Sequence, residues 1–236
     1  MTPELLAEVM ERTWPPARAF VVGPWCIRDG QGGGKRVSAA TAGPEWRDEA
    51  IPEAEAAMEG LGLKPLFLIR QRDDLLDQAL QSRGYRVVDP VVAYAAPCPA
   101  LADPPAPPMA AFAHWPPLAI CTEIWADGGI GAARLAVMQR AAGPKCAILG
   151  RTKDQPTGVA FVAIHQGVAM LHALEVRPMA RRQGSAHNIL RAAGAWAQEN
   201  GASTLSLVVT VANTAARNLY ASLGMGVVGQ YHYRQR

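Results

Sequence analysis

The sequence predicts an α+β fold in which a mixed, mostly antiparallel sheet is flanked by helices. Residues 169–224 read in the order strand, turn, helix, strand and helix, which is typical of helices packed on neighbouring strands. Two short apolar segments separated by turns lead into this unit, and together with its first strand they read as an antiparallel meander. At 236 residues, the chain is long enough for one large domain or two small ones.

Composition excludes several classes of protein. Half of the residues are hydrophobic and 18% are charged, which indicates a globular protein. The net charge of +3 is modest and no Lys/Arg run is interleaved with aromatic residues, so a nucleic-acid partner is not expected. No segment approaches the ~20 apolar residues of a membrane span, and the first residues do not form a signal peptide, so no membrane partner is expected.

The four cysteines are far apart and form no Cys-x-x-Cys pair. Neither a metal site nor a disulfide framework is therefore expected, and reduced thiols fit a cytoplasmic location.

The first 97 residues predict alternating helices and strands. Thr2 and Pro3 begin a helix as a capping hydroxyl and a first-turn proline, and Trp14 with the two prolines after it ends that helix. The other predicted elements are strands over residues 18–28, 35–41 and 65–69, helices over 48–61 (with Asp48 as N-cap) and 73–82, and a strand pair over 85–95 interrupted at Asp89-Pro90.

A glycine-rich turn at residues 29–34 raises the possibility of a phosphate-binding P-loop. A P-loop ending in Gly34-Lys35 requires glycine at position 29 and serine or threonine at position 36. Asp29 and Arg36 occupy those positions. The turn is therefore predicted to be a flexible hairpin or loop.

Residues 98–117 are rich in proline and predict an extended, semi-rigid linker. The remaining predicted elements are a strand or loop over 118–124, a helix over 131–142, strands over 145–151 and 158–164, a Gln166-Gly167 hairpin turn, a strand over 169–176, the helix–strand–helix unit and a closing strand over 227–234. Simple alternation places His172, Leu174 and Val176 on one face of the strand over 169–176.

The turn after that strand has the chemistry of an anion site. It brings Arg181, Arg182 and free backbone N–H groups to the beginning of a helix, where the helix dipole is positive. Gly184, Ser185 and Ala186 are small, so an anion can approach the backbone closely. The turn therefore predicts a cradle for a pyrophosphate group.

Two motifs in this region resemble the signatures of the GNAT superfamily of N-acetyltransferases. They are a strand followed by Arg181-x-x-Gly184-x-Ala186 at a helix start, and Asn213-x-x-Ala216-x-x-Leu219-Tyr220-x-x-Leu223-Gly224-Met225, with Met225 replacing the usual Phe. The resemblance covers residues 117–236 and implies the GNAT fold with acetyl-CoA as acyl donor. Residues 118–236 are then the catalytic domain.

The resemblance also implies roles for individual residues. Backbone groups of Leu174 and Val176 align the pantetheine arm, and Asn213 contacts the cofactor as well as capping its helix. The coenzyme A ligands it implies are Leu174, Val176, Arg181, Arg182, Gln183, Gly184, Ser185, Ala186 and Asn213. Tyr220 is the implied catalytic residue, which protonates the coenzyme A thiolate.

No general base can be assigned from the sequence. Some relatives place a glutamate five residues before Asn213, where this chain has Val208. Glu175 and His172 are ionisable neighbours, although an exposed carboxylate and a core histidine are the more ordinary interpretations. Residues 231–234 either line the acceptor site or form an edge strand.

The sequence thus supports two hypotheses. The chain is an N-acetyltransferase that acts on a primary amine of a small molecule or peptide, or it is an inactive module that binds coenzyme A. Residues 80–87 resemble the last helix and strand of the same fold, so residues 1–97 are interpreted as a degenerate, cofactor-free half of a tandem. The alternative is that they are the family's opening elements with an insertion.

Overall fold

A computed structural model describes the chain over all of residues 1–236. The α-helices are α1 (Pro3–Thr13), α2 (Ile51–Gly60), α3 (Asp74–Ser82), α4 (Cys98–Ala102), α5 (Ala119–Asp127), α6 (Ala132–Arg140), α7 (Ser185–Glu199) and α8 (Thr214–Ser222). The strands are β1 (Arg18–Val22), β2 (Trp25–Asp29), β3 (Thr41–Ala42), β4 (Leu66–Arg70), β5 (Arg86–Pro97), β6 (Ala111–His114), β7 (Lys145–Thr152), β8 (Gln155–His165), β9 (Val168–Val176), β10 (Thr204–Thr210) and β11 (Gly226–Gln235).

The main sheet has eight strands in the order β4-β11-β5-β10-β9-β8-β7-β6. Its neighbours pair antiparallel except for β9 and β10, which are parallel. Strands β1, β2 and β3 form a separate antiparallel sheet, and an isolated parallel bridge from Ala40 to Phe67 links that region to β4. The predicted mixed, mostly antiparallel sheet flanked by helices is confirmed.

Helices cover both faces of the main sheet. Helices α4, α7 and α8 contribute Leu101, Leu190 and Tyr220 to the core on one face. Helices α5 and α6 pack on the opposite face, where Trp125 and Met138 are buried. None of the helices is long and apolar enough to cross a bilayer.

The centre of the main sheet mixes strands from the two ends of the chain. Strand β5 lies between β10 and β11, and β11 lies between β5 and β4. The predicted division of the chain at residue 97 stays a prediction, but the sheet itself is continuous across that boundary.

The unit β4-α3-β5 repeats the unit β10-α8-β11 in order and in detail. Helices α3 and α8 have nine residues each. Each is followed by a glycine with positive φ, Gly84 at 84° and Gly224 at 74°. The next residue in each unit, Tyr85 or Met225, donates its backbone N–H to the residue five positions earlier. Each unit places its last strand next to the first strand of the other.

Several predicted elements in the N-terminal part were wrong. Residues 18–28 form two strands, because Gly23 has φ 52° and turns the chain between β1 and β2. Residues 35–41 are mainly a 3₁₀ turn (Lys35–Val37) rather than a strand. Asp48 caps no helix, since Ala50 is the N-cap of α2. The predicted strand pair over 85–95 is one strand, β5, and its pairing with β11 is irregular beside Asp89.

The proline-rich segment is more ordered than an extended linker. Its first residues form α4, in which Cys98 and Leu101 are buried against α7, and β6 adds a strand to the sheet edge. Residues 119–124 belong to α5, with Leu118 as its N-cap, and not to a strand or loop. Apolar packing against the sheet overrides the extended preference that the prolines suggest.

A bulge in β9 changes which residues share a face. Ala173 has φ 51°, and the register with β8 shifts between Val159 and Phe161. His172 therefore packs against Phe161 on the α5 face, whereas Leu174 packs on the α7 face. The prediction that His172 and Leu174 share a face was wrong, because a bulge breaks the alternation of a regular strand.

Candidate functional site

Strands β9 and β10 separate after a short parallel ladder. The ladder begins at the pair Val168 and Thr204 and ends at the pair Leu171 and Leu207. Beyond it, residues 172–176 of β9 and 208–210 of β10 are not paired with each other. Arg177 donates its N–H to Thr157 of β8, so the alternating N–H groups of Val176 and Leu174 point to the open side. The gap can therefore accept an extended ligand along β9.

The turn at the end of β9 presents unpaired backbone donors. Gly184 has φ 84° and is the N-cap of α7. Asn188 is the first residue of α7 whose N–H has a backbone acceptor, which is the Gly184 carbonyl at 3.0 Å. The N–H groups of residues 185–187 have no acceptor within the chain. A Cβ atom at Gly184 would have no atom within 4 Å, so the space in front of these donors is open.

The side chains of the turn have different roles. Arg181 donates from Nε to the Val176 carbonyl (3.1 Å) and lies 3.4 Å from Glu175. Arg182 is exposed at φ 62°, and Gln183 donates to Met179. The Ser185 side chain is buried, where its Oγ lies 3.0 Å from the Thr152 hydroxyl and donates to the Thr157 hydroxyl (2.9 Å). Ser185 can therefore offer a ligand only its backbone N–H, as the small Ala186 does.

Asn213 and Tyr220 lie at the two ends of α8. Asn213 is the N-cap, and its Oδ1 accepts from the N–H of Ala216 at 3.1 Å. Tyr220 packs 5.7 Å from Tyr94 of β5, measured between ring centroids. Burial raises the pKa of Tyr220 to about 12, and its hydroxyl has no hydrogen-bond partner in the chain.

A cleft of about 280 Å³ lies on the other face of the sheet from α7, at the same gap. Ala173 of β9 and Val208 of β10 form its inner wall. Tyr231 and Tyr233 line it, whereas His232 and Arg234 turn away and bind Asp77. The sequence predicts that residues 231–234 either line the acceptor site or form an edge strand. Of these four residues, only the two tyrosines face this cleft.

The cleft also holds a buried histidine and an arginine. Arg36 donates from Nη1 to Nδ1 of His172 at 3.1 Å, so the ring carries its proton on Nε2, which donates to Thr13 Oγ1 at 2.9 Å. Thr13 donates in turn to the Val9 carbonyl. Burial and the charge of Arg36 lower the pKa of His172 well below its usual 6.5, which keeps the ring neutral.

No free carboxylate faces the gap from this cleft. Val208 lines the cleft and is apolar. Asp89 also lines it but is paired with Lys35 at 2.7 Å. Glu175 is partly buried beside Gly128 and paired with Arg181. Both nitrogens of His172 are engaged.

Sequence reasoning missed four residues of this region. Lys35, Arg36 and Arg134 line the cleft, and Tyr94 packs on Tyr220. For Lys35 and Arg36, the sequence did contain a signal, namely the glycine-rich turn at residues 29–34. Its glycines turn the chain so that these two basic residues reach the cleft. Tyr94 and Arg134 had no local signal, since only the long-range pairing of strands places them there.

Comparisons with known proteins agree with this architecture. The acetyltransferase (GNAT) family matches residues 103–225. The protein named Uncharacterized N-acetyltransferase YobR, from Bacillus subtilis (strain 168), is 24% identical over 238 residues, covering 94% of each chain.

Solved structures show the same fold over almost the whole chain. A GCN5-related N-acetyltransferase from Kribbella flavida has a TM-score of 0.72 at 19% identity, covering 98% of this chain and 94% of that one. A tandem GNAT protein from the clavulanic acid biosynthesis pathway has a TM-score of 0.62 at 12% identity, covering 98% and 87%. Since the family match spans more than half of the chain, this protein belongs to the GNAT family of acetyltransferase enzymes.

Proposed function

We propose that the chain transfers an acetyl group from acetyl-CoA directly to a primary amine of a small molecule or peptide. The observation that carries the proposal is the gap between β9 and β10, which connects the donor-rich turn of α7 on one face with the cleft on the other. A thioester in the gap and an amine in the cleft would meet beside Ala173 and Val208.

The residues present fit the donor. The open space before Gly184, the free N–H groups of residues 185–187 and the exposed Arg182 suit a pyrophosphate. The outward N–H groups of Leu174 and Val176 suit the amides of a pantetheine arm. Gln183 and Asn213 lie on the same side and can add contacts. Bound acetyl-CoA supplies the activated acetyl group.

The proton balance follows from the residues around the gap. The amine nitrogen forms the new C–N bond as the C–S bond breaks, and the nitrogen loses a proton while the sulfur gains one. Tyr220 has a pKa of about 12, which lies above the ~8.5 of a thiol. Full transfer from the phenol is therefore uphill, so we assign Tyr220 as the hydrogen-bond donor to the sulfur while the amine's proton restores the balance.

The cleft itself favours a reactive amine. Lys35, Arg36 and Arg134 line it with Asp89 as the single counter-charge. Nearby positive charge disfavours an ammonium ion, so the pKa of a bound amine is lowered toward neutrality. A dedicated base at the position of Val208 is then unnecessary.

The N-terminal part is proposed to be a degenerate half that binds no coenzyme A. The repeat of β4-α3-β5 aligns Leu80 with Tyr220 and Leu68 with Val208. Helix α2 begins without a glycine cap, at Ala50 with φ −88°. The N-terminal repeat therefore lacks both the hydroxyl group of a tyrosine at the place of Tyr220 and a glycine-capped helix start that could hold a pyrophosphate. The four free cysteines support a cytoplasmic location.

A second candidate function is a coenzyme A-binding module without turnover. The pairing of Glu175 with Arg181 and of Asp89 with Lys35 favours it, because neither carboxylate is free to accept a proton. The two functions differ in turnover and not in binding.

Isothermal calorimetry with acetyl-CoA and with coenzyme A tests the shared prediction. We expect micromolar binding by the wild type and none by Arg182→Glu/Gly184→Asp. The matched control is Arg86→Glu/Gly201→Asp, because Arg86 is exposed and Gly201 has the same φ of 84° with equally open space. Loss of binding in the control as well, or no binding by the wild type, would contradict the proposed cradle.

A thiol-release assay with a panel of primary amines then separates the two functions. Release that depends on the amine, with the acetylated amine detected by mass spectrometry, supports the enzyme. Binding without release for every amine supports the binding module.

A further inference from the structure

We propose that the acceptor amine carries a carboxylate, which the guanidinium of Arg36 binds in the cleft. The inference rests on the proposed acetyl transfer and adds the chemical class of the acceptor. It makes the acceptor a small amino-acid-like molecule, with its amine at the gap and its carboxylate at Arg36.

Arg36 is held in place before any ligand arrives. Its Nη1 binds Nδ1 of His172 at 3.1 Å, and its guanidinium carbon lies 6.0 Å from the ring centroid of Trp14. His172 is itself fixed by Thr13 and lies 5.0 Å from Trp14 between ring centroids. The orientation of the guanidinium is therefore set by a packed network and needs little further ordering on binding.

The rest of this guanidinium has no partner. Its Nε is the one fully buried side-chain nitrogen or oxygen in the chain that lacks a hydrogen bond. Its Nη2 makes no hydrogen bond or ion pair and is not fully buried. Because Nε is shielded from solvent, a ligand in the cleft reaches this guanidinium at Nη2, where a carboxylate oxygen supplies the charged acceptor that this nitrogen lacks.

The charges around the cleft also favour an anion. Lys35 is neutralised by Asp89 at 2.7 Å, whereas Arg36 and Arg134 have no carboxylate partner. His172 is neutral. The cleft thus holds an excess of two positive charges, which a ligand carrying a carboxylate offsets.

The size and walls of the cleft favour one small molecule. Its volume of about 280 Å³ lies just below the ~300–1,000 Å³ that is typical of small-molecule sites. Trp14, Tyr231 and Tyr233 provide aromatic walls for the body of the acceptor. Trp14 and Arg36 both come from the N-terminal part, which therefore contributes the recognition wall.

The test compares amines that differ only in the carboxylate. Thiol release is measured with phenylalanine against 2-phenylethylamine, lysine against cadaverine, and β-alanine against ethylamine, with 2-aminoethylphosphonate as a phosphonate probe. Each carboxylated amine is expected to have a kcat/KM at least about tenfold above its partner, because a charged hydrogen bond to Arg36 is lost in the partner. Arg36→Gln should bring this ratio close to one, and Arg36→Lys should restore it in part.

Arg86→Gln is the matched control, since Arg86 is exposed and makes no side-chain hydrogen bond or ion pair. It should leave the ratio unchanged. Equal or faster acetylation of the decarboxylated amines would overturn this inference while leaving the proposed function intact. A clear preference for the phosphonate over β-alanine would also overturn it.

Binding measurements separate failure of the inference from failure of the proposed function. If no amine is acetylated, calorimetry of the coenzyme A-saturated protein with each pair decides. Binding of the carboxylated members by the wild type and not by Arg36→Gln supports the ligand class although transfer fails. Absence of carboxylate-dependent binding overturns the inference.

Discussion

Tyr220 is 5% exposed and its hydroxyl has no hydrogen-bond partner within the chain. The hydroxyl is not fully buried, since Arg36 Nε is the one fully buried side-chain nitrogen or oxygen without a partner, so the hydroxyl can donate a hydrogen bond to a bound molecule. Its neighbour Tyr94 differs, because its hydroxyl accepts from Arg217 Nε at 3.4 Å. The two aromatic rings pack against each other, and they differ in that only the Tyr94 hydroxyl has a hydrogen-bond partner within the chain.

Replacing Tyr220 with Phe should therefore affect turnover and little else. We expect kcat to fall about 10- to 100-fold, below the usual range for loss of a full acid catalyst, because the phenol only assists the leaving sulfur. The KM for acetyl-CoA and the melting temperature should change little, since no intramolecular hydrogen bond is lost. The matched control is Tyr94→Phe. Similar loss of kcat in both variants would show that packing, and not the Tyr220 hydroxyl, is responsible.

Because of His172, the protein should be less stable at mildly acidic pH than at neutral pH. Burial and Arg36 lower its pKa well below 6.5, so below pH 6.5 the unfolded chain binds a proton at this residue that the folded chain excludes. Above that pH, protonation of His172 does not affect the free energy of unfolding. Below it, the free energy of unfolding decreases as the pH falls, by up to about 1.4 kcal/mol per pH unit.

Urea unfolding at pH 7.5, 6.5 and 5.5 measures this effect. His172→Gln should be less stable at pH 7.5 but should show a shallower loss toward pH 5.5. His187→Gln is the comparison, because the pKa of His187 is lowered by partial burial and by Arg191, and its removal should change the slope less. An unchanged slope in His172→Gln would contradict the assignment.

At the scale of elements, the bulge in β9 sets the geometry of the gap. Ala173 is held at φ 51° while its carbonyl accepts from Trp125 Nε1 at 2.8 Å. The bulge turns Leu174 and Val176 toward α7 and leaves His172 and Glu175 on the side of the cleft. One strained residue thus decides which side chains of β9 face α7 and which face the cleft.

Glycine should be tolerated at this bulge better than elsewhere in the strand. Ala173→Gly is expected to change the free energy of unfolding by less than about 0.5 kcal/mol, because relief of the positive φ offsets the flexibility of glycine. Ala173→Val should destabilise by more than about 1 kcal/mol, because a β-branched residue disfavours this conformation.

Ala169→Gly is the matched control in the regular part of β9, where the side chain is fully buried. It should cost about 1 kcal/mol from lost packing and added flexibility. Chemical denaturation measures all three variants, and equal losses for Ala173→Gly and Ala169→Gly would show that the bulge carries no strain.

Local chemistry explains which parts of the structure the sequence could predict. Helix α7 and its glycine cap, and the Gln166-Gly167 turn with φ 47° and 72°, are encoded by neighbouring residues. The bulge at Ala173 and the position of Arg36 depend on Trp125 and His172, which are distant in sequence. Tertiary contacts of that kind leave no local pattern.

At the scale of the whole molecule, the two parts of the chain share one sheet. Strand β5 pairs with β10 from Val91 to Pro97 and with β11 from Arg86 to Ala95. Separating the parts would expose β10 and β11 along these ladders. The resemblance of residues 80–87 to the end of the fold indicated a repeat, but periodicity could not show that the repeats exchange strands.

The shared sheet predicts a single cooperative unfolding transition. Far-UV circular dichroism and tryptophan fluorescence, which reports from both parts through residues such as Trp25 and Trp125, should give the same urea midpoint. An independent N-terminal domain would instead give two midpoints or a difference between the probes, and would contradict a continuous sheet.

The position of β11 has a consequence for protein synthesis. It is made after all the other strands, yet it fills the place between β4 and β5. The ribosome needs on the order of ten seconds to translate from the end of β5 to β11 at typical rates. Throughout that interval β4 and β5 have unpaired edges, which are sites of intermolecular association. These two edges are therefore the places at which nascent chains would associate with one another before β11 is made.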